Sequence, residues 1–361
     1  MQYVAIDLHK RYSVVSALNE QGQRTREARI DGNSAAGFAQ FFKSLEDRSQ
    51  VVIEATWNWG RIHDLLEEIE EVEEVEEVVL AHPYKTRIIA EAQVKTDKLD
   101  ARALAKLLRA DLVARAHIPS PETRRRKEVL RQRLFWVRVR TMVRNRVHQL
   151  LDRQPRVDLP QISDLFGGRG MAAMKKLSLP EPDATQLRQD LGLLEELGQR
   201  IKELEGMIQA QNAGDASTQL LSSLPGLGKI LAAVVAAEID HVERFAHPKK
   251  LLAYAGLVPT THSSGGKTYH GPLMPMCNKW LRWAFVEAAW VAVGCSNYFG
   301  GLYRQHRARG KGANTAIVIV ARRMAEIAWQ MLRHRRTYQD RPPVQDTLPD
   351  RSERALVEVA S

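Results

Sequence analysis

Apolar residues recur along the first part of this chain with the two-residue period of strands, and further on with the three- and four-residue spacing of helices. Residues 3–7 and 12–18 are short runs rich in Val and Ile. A polar turn at 19–23 follows, then a weaker alternating run to Ile30, and together these predict a three-stranded meander. Residues 34–45 carry helical spacing through Phe38, Phe41, Phe42 and Leu45. Residues 51–55 then read as a buried strand, 59–69 as a helix and 78–81 as a strand. Strands that alternate with helices predict an α/β sheet. The segment 67–78, EEIEEVEEVEEV, places its apolar residues at neither period and reads as a solvated acidic connector.

Beyond residue 115 the pattern is helical. The stretch 123–153 keeps Leu130, Leu134, Val137, Val143, Val147 and Leu150 on an apolar stripe, and its other faces are basic. Between 121 and 156 there are twelve Lys or Arg against Glu122, Glu128 and Asp152. A second helix over 184–211 spaces Leu187, Leu191, Leu194, Leu197, Ile201, Leu204 and Ile208 like a coiled-coil seam, whose partner is either the first helix or another chain. The link 155–180, with three prolines and Phe166-Gly-Gly-Arg-Gly170, reads as a turn-rich excursion. A last helical domain follows, and the Pro- and charge-rich end reads as disordered. The expected organisation is α/β plus all-α: domain 1–115, a basic helix and coiled-coil segment 116–215, a helical domain 216–337 and a disordered tail 338–361.

Composition narrows the function classes. The formal net charge is +10 with a pI near 9.6, which suits a polyanionic partner or simply a basic soluble protein. Cys277 and Cys295 fit neither a disulfide framework nor a thiolate zinc site. The first residues carry no leader pattern, and the apolar run 283–293 is shorter than the roughly 18 residues of a membrane span, so a cytoplasmic protein without membrane attachment is expected.

Candidate chemistry begins with four acids. Asp7 ends the first strand and Glu54 the strand after residue 51, while Asp97 and Asp100 stand three apart at the start of a helix, on one face. Such a cluster suits a hard divalent cation, Mg²⁺ or Mn²⁺, and two such ions assist phosphoryl transfer. The plainer reading of Asp97 and Asp100 is helix capping. An acid inside an apolar strand, as in Ile6-Asp7, needs a partner charge or a metal. Leu224-Pro225-Gly226-Leu227-Gly228 between helical segments resembles a helix-hairpin-helix turn, whose backbone N–H groups hold phosphate; the alternative is a plain connecting turn. Arg124, Arg125, Arg126, Arg131, Arg138 and Arg144 on the basic helix are the other candidate nucleic-acid contacts, together with a later cluster that includes Arg304, Arg307, Arg309 and Lys311.

The stretches AIDLHKRYSVVSAL, VVIEATWNW, HPYKTRIIAEAQVKTDKLDARALAKLL, LLSSLPGLGKILAAVVAAEI, FAHPKKLLAYAGLVPTTHSSGGKTYHG and NKWLRWAFVEA resemble, in order, the DEDD transposases of insertion-sequence family one-ten and the related site-specific DNA invertases. The resemblance covers roughly residues 2–335. It implies an RNase H-like N-terminal domain similar to Holliday-junction resolvases, a coiled coil and a C-terminal transposase domain. It implies that Asp7, Glu54, Asp97 and Asp100 bind metal and that the nucleophile is the serine before a glycine, here Ser264, with Ser263 beside it. The implied reaction on DNA passes through a phosphoserine, and the implied guide is a structured RNA of the element, which fits a chain with no recognisable base-reading module. One departure stands out: where relatives carry a basic, glycine-containing run, this chain has Pro272-Leu-Met-Pro-Met-Cys277. The leucine seam and the need to hold two duplexes point to a homo-oligomer, a dimer or tetramer. The alternatives are a resolvase-like nuclease using the four carboxylates alone, and a nucleic-acid-binding scaffold without activity.

Overall fold

The computed structural model describes residues 1–45, 47–56, 58–68, 75–83, 85–86, 97–154, 162–264 and 267–339. It divides into two compact units, Met1–Ile118 and Pro119–Ser361.

In the first unit, β1 (Gln2–Leu8), β2 (Tyr12–Leu18), β3 (Arg24–Asp31), β4 (Ser49–Glu54) and β5 (Val75–Ala81) form one sheet in the order β3-β2-β1-β4-β5. The first three strands pair antiparallel, and β4 and β5 join in parallel. Helices α1 (Ala35–Lys43), α2 (Trp59–Glu68) and α3 (Asp97–Arg109) cover it. The Ser34 side chain caps α1 by accepting from the Gly37 N–H.

Alternation decides which face each residue serves. Val4, Ile6, Leu8, Val51 and Ile53 enter a core with Phe38, Phe41 and Phe42 of α1 and Ile62 and Leu66 of α2. Ala5, Val52 and Val79 turn to the opposite face, where Leu104, Ala105 and Leu108 of α3 pack on them. Burying a side chain such as Phe42 contributes about 1.5–3 kcal/mol. The strand expected from residue 78 begins at Val75, because the free edge of β4 recruits backbone whatever the side chain: Gln50 lies opposite Glu77, which pairs with Arg115. Residues 69–74 of the acidic repeat lie outside the described residues.

The second unit contains α4 (Pro121–Asp152), α5 (Gly168–Met174), α6 (Asp183–Asn212), α7 (Ala216–Ser222), α8 (Lys229–Ile239), α9 (Pro248–Tyr254), β6 (Pro259–Ser264), β7 (Lys267–Leu273), α10 (Lys279–Cys295), α11 (Asn297–Ala308) and α12 (Ala313–His334). The partner of the leucine seam is α4 of the same chain: Val143, Val147, Leu150 and Leu151 share a core with Leu187, Leu191, Leu194, Leu197 and Met174. Arg146 clamps the buried Asp190 across that seam with Nε 2.9 Å from Oδ2, and Arg133 holds Glu205 at 2.6 Å. The other end of α4 joins a different core, with Leu130 and Leu134 among residues of α8, α10 and α12.

Two further expectations need correction. The turn-rich link contains α5, where Gly170 serves close packing: a Cβ there would lie 2.0 Å from the Leu165 carbonyl oxygen. The C-terminal region is not all helix, since β6 and β7 form an antiparallel hairpin whose alternating Thr, His, Ser and Lys residues carry no apolar stripe. At the expected tail boundary, the Tyr338 N–H donates to Ser223 Oγ at 2.9 Å and its ring stacks on Phe299. Residues 340–361 of the expected tail lie outside the described residues.

Candidate active site and nucleic-acid face

Residue Ile6 of β1 lies opposite Ile53 of β4 in a parallel pair, so one step on, Asp7 and Glu54 stand side by side at the carboxyl ends of adjacent strands. Parallel neighbours are about 4.8 Å apart. Both acids share the parity of Ala5 and Val52, the face covered by α3. That helix runs against β1. Arg109 near its end donates to the Glu20 carbonyl in the β2–β3 turn, and Arg102 donates to Glu27, which pairs with Ser16 at the level of Ala5. Stepping back from Arg102 at about 1.5 Å per residue covers the 6–7 Å that two strand residues span, which brings the first turn of α3 to the level of Asp7. Asp97 and Asp100 stand in that turn. Their side chains lie outside the described residues.

Asp7 keeps 17% side-chain exposure, and its Oδ2 meets His9 Nε2 at 3.1 Å. The His9 ring stacks on Tyr12, and the His9 carbonyl accepts from Asn33 Nδ2 at 2.9 Å. Asn33 in turn is held by Ser13 Oγ at 2.7 Å. His9 was not among the sequence candidates; its place two residues after a strand-end acid is the signal that marks it. Beyond the carboxyl ends of β4 and β5, Thr56 Oγ1, His82 Nδ1 and Thr86 Oγ1 are buried without a hydrogen bond. In open α/β sheets this edge is where ligands bind. Orphaned polar atoms at the sheet end where Asp7 and Glu54 also stand fit a hydrated divalent ion better than an apolar ligand.

Ser264 is the last residue of β6, opposite Lys267 across the hairpin tip. Its side chain and residues 265–266 lie outside the described residues, while Ser263, opposite Thr268, is exposed. The hairpin is pinned at its base, where Thr260 Oγ1 donates to the Pro272 carbonyl at 3.1 Å. The unusual apolar run 272–277 is tied to the helical core: Arg282 donates to the Met274 carbonyl, and Gly256 packs against Cys277 with room for no Cβ.

The Pro225–Gly228 turn divides its glycines by task. Gly226 has φ +86°, and a Cβ there would lie 2.1 Å from the Ala288 carbonyl oxygen, so it packs the turn on α10. Leu224 and Leu227 are buried on either side of it. Gly228 caps the start of α8 with open space around it, and Lys229 beside it is exposed. Pro225 is half-buried.

The basic stripe of α4 is divided as well. Arg126 holds Glu122 at 2.7 Å and Asp215 at 3.3 Å. Arg131 and the buried Lys127 converge on Glu238, at 3.0 and 3.3 Å, and Asn278 Nδ2 donates to the same carboxylate at 2.8 Å. Glu238 is 4% exposed, and sequence reasoning missed it. Arg138 and Arg144 lie over the rings of Trp280 and Phe166, Arg124 is half-buried and Arg125 exposed. In the later cluster, His306 is held below its ordinary pKa by burial and then by Arg309 and Lys311. Among the described residues no helix is long and apolar enough to cross a membrane.

Comparison with known proteins adds independent findings. Residues 4–154 match the DEDD transposase model of the IS110 type, and residues 218–304 match the model described as "Transposase IS116/IS110/IS902 family". The chain is similar to the "Probable family 20 transposase" of Pseudomonas aeruginosa, 29% identical over 262 residues, 68% of this chain and 74% of that protein. It is 32% identical over 180 residues to the "Insertion element IS116 uncharacterized 44.8 kDa protein" of Streptomyces clavuligerus, 49% of this chain and 45% of that one. It is 27% identical over 257 residues to the "Transposase for insertion sequence element IS1328" of Yersinia enterocolitica, 65% of this chain and 71% of that protein.

Proposed function

The chain belongs to the IS110/IS116/IS902 family of transposases, enzymes that process DNA by phosphoryl transfer, and on that premise we propose that it is a serine-plus-metal recombinase with an RNase H-like N-terminal domain. The observation that carries this reading is the adjacency of Asp7 and Glu54 at neighbouring strand ends, with the first turn of α3 brought to their level. Asp7, Glu54, Asp97 and Asp100 would hold Mg²⁺ or Mn²⁺. When bound, such ions supply charge neutralisation at the attacking and leaving oxygens of a phosphodiester.

The remaining chemistry belongs to the chain. His9 orients the Asp7 carboxylate through its 3.1 Å contact. The Ser264 hydroxyl oxygen attacks phosphorus and gives up its proton; a P–O bond to serine forms as the bond to one deoxyribose oxygen breaks, and that oxygen takes up one proton in exchange. A hydroxyl of the second strand end then attacks the phosphoserine, rejoining DNA and returning the serine, with no net loss of phosphodiesters and no need for ATP. Arg125, Arg138, Arg144 and the α8 start at Gly228 contact phosphates, and a structured RNA of the element supplies sequence reading by base pairing. A homo-oligomer brings two DNA duplexes together.

Denaturing electrophoresis of labelled DNA after reaction with the protein, its RNA and Mg²⁺ tests this. A protein–DNA adduct present in the wild type and absent in Ser264→Ala is the expected result. Metal-dependent cutting that persists in Ser264→Ala without any adduct would establish the resolvase-like nuclease instead.

A further inference from the structure

We propose that His63, Asp64 and Glu67 on α2 form a second cation site, suited to a transition ion such as Zn²⁺. His63 is 7% exposed, and its Nδ1 is fully shielded yet makes no hydrogen bond. The same atom stands 3.4 Å from Glu67 Oε2 and 3.5 Å from Asp64 Oδ1. All three donor atoms lie within 4.8 Å of one another. Two ligands bound at about 2.0–2.1 Å to a tetrahedral ion are roughly 3.3–3.4 Å apart, so the separations match shared coordination of one ion.

The local fold explains the convergence. His63 and Glu67 are one helical turn apart on α2, so their side chains meet. Ile62 and Leu66 anchor the adjoining face of the helix in the core, and Trp59 meets the His63 ring edge to face. Asp64 and Glu67 are open to solvent, at 38% and 59% exposure, which gives an ion a way in and leaves room for water as a further ligand. The eight glutamates of residues 67–77 begin at this point and raise the local concentration of cations. One imidazole nitrogen with two carboxylates ranks Zn²⁺, Co²⁺ and Ni²⁺ above Mg²⁺. Because α2 packs on the Ile6 and Ile53 face of the sheet and α3 on the Ala5 and Val52 face, this site lies across the sheet from the one built around Asp7 and Glu54.

The competing occupant is a proton, with an imidazolium bridging the two carboxylates. Calorimetric titration of the full chain with Zn²⁺ in excess Mg²⁺, and Co²⁺ absorption spectra under the same conditions, separate the two. One equivalent of Zn²⁺ is expected at micromolar affinity or better, with a Co²⁺ spectrum indicating nitrogen ligation. Glu67→Gln, at an exposed position, and His63→Gln should each weaken it by on the order of tenfold or more, whereas Asp7→Asn should retain it. Unchanged affinity in Glu67→Gln, or failure of the wild type to hold Zn²⁺ against a chelator of micromolar affinity, overturns the proposal. If His63→Gln does not fold, Glu67→Gln and the Co²⁺ spectrum decide the question.

Discussion

Two acids in this molecule follow nearly the same kind of apolar run, Asp7 in YVAID and Glu238 in VVAAE, and the structure sets them in different surroundings. Glu238 is sealed in the second unit beneath Lys127, Arg131 and Asn278, its charge balanced and its oxygens filled. Asp7 lies near the end of its strand at 17% side-chain exposure, beside a histidine and the neighbouring Glu54. A buried acid needs compensation in either case. Glu238 takes it from three side chains, while Asp7 is proposed to take it partly from a bound ion.

The comparison breaks or sharpens under substitution. Asp7→Ala should reduce strand cleavage on the order of 10⁴-fold, about 5 kcal/mol in the barrier, with an unchanged melting temperature. Glu238→Ala should do the reverse, costing about 3–5 kcal/mol of stability because Lys127 is left buried without its partner. A Glu238→Ala protein that melts like the wild type but cuts no DNA would erase the distinction. Calorimetry and a cleavage assay on both variants read it directly.

The same contrast holds at smaller scale. Gly226→Ala forces a Cβ onto the Ala288 carbonyl at a positive φ and should cost about 2–4 kcal/mol. Gly228→Ala meets nothing and should shift the melting temperature little, so thermal melts of the pair rank structural against exposed glycine. Arg125→Gln should lower the salt dependence of nucleic-acid binding by about one charge, whereas Arg126→Gln, which removes a partner of Glu122 and Asp215, should act on stability instead. Filter binding across salt concentrations measures the first effect.

The smallest effect concerns pH. His306 has a lowered folded pKa, so the unfolded chain takes up its proton first, and stability is lost as pH falls below the ordinary histidine value. Wild type should therefore lose more melting temperature than His306→Gln on acidification from neutral pH.

Much of the first unit was legible because its strands alternate cleanly: the meander and both acid-bearing strand ends follow from period alone. The long helices were legible too, since the apolar stripe from Leu130 to Leu150 and the leucine spacing of 187–208 run nearly unbroken, although the first helix starts two residues before the expected 123, at Pro121. The hairpin 259–273 was not, because its TTHSSGGKTYHG sequence has no apolar face and holds its register by backbone pairing. Nor was the role of Glu238, whose three partners come from residues 127, 131 and 278, far away in sequence. The partner of the leucine seam was undecidable for the same reason, since spacing reveals an apolar stripe without saying what covers it.

The 32 residues of α4 form one uninterrupted rod, about 48 Å long, whose early leucines belong to the core of α8, α10 and α12 and whose later valines belong to the core shared with α6. This rod restricts where segments of two related chains can be exchanged without breaking a core. A crossover near residue 118 trades whole cores between related elements. One between α6 and α7 hands a foreign rod to the resident helical core, mismatching Leu130, Leu134 and the Lys127–Glu238 pair in a single event. Viable hybrids should therefore inherit everything after residue 118 as one heirloom.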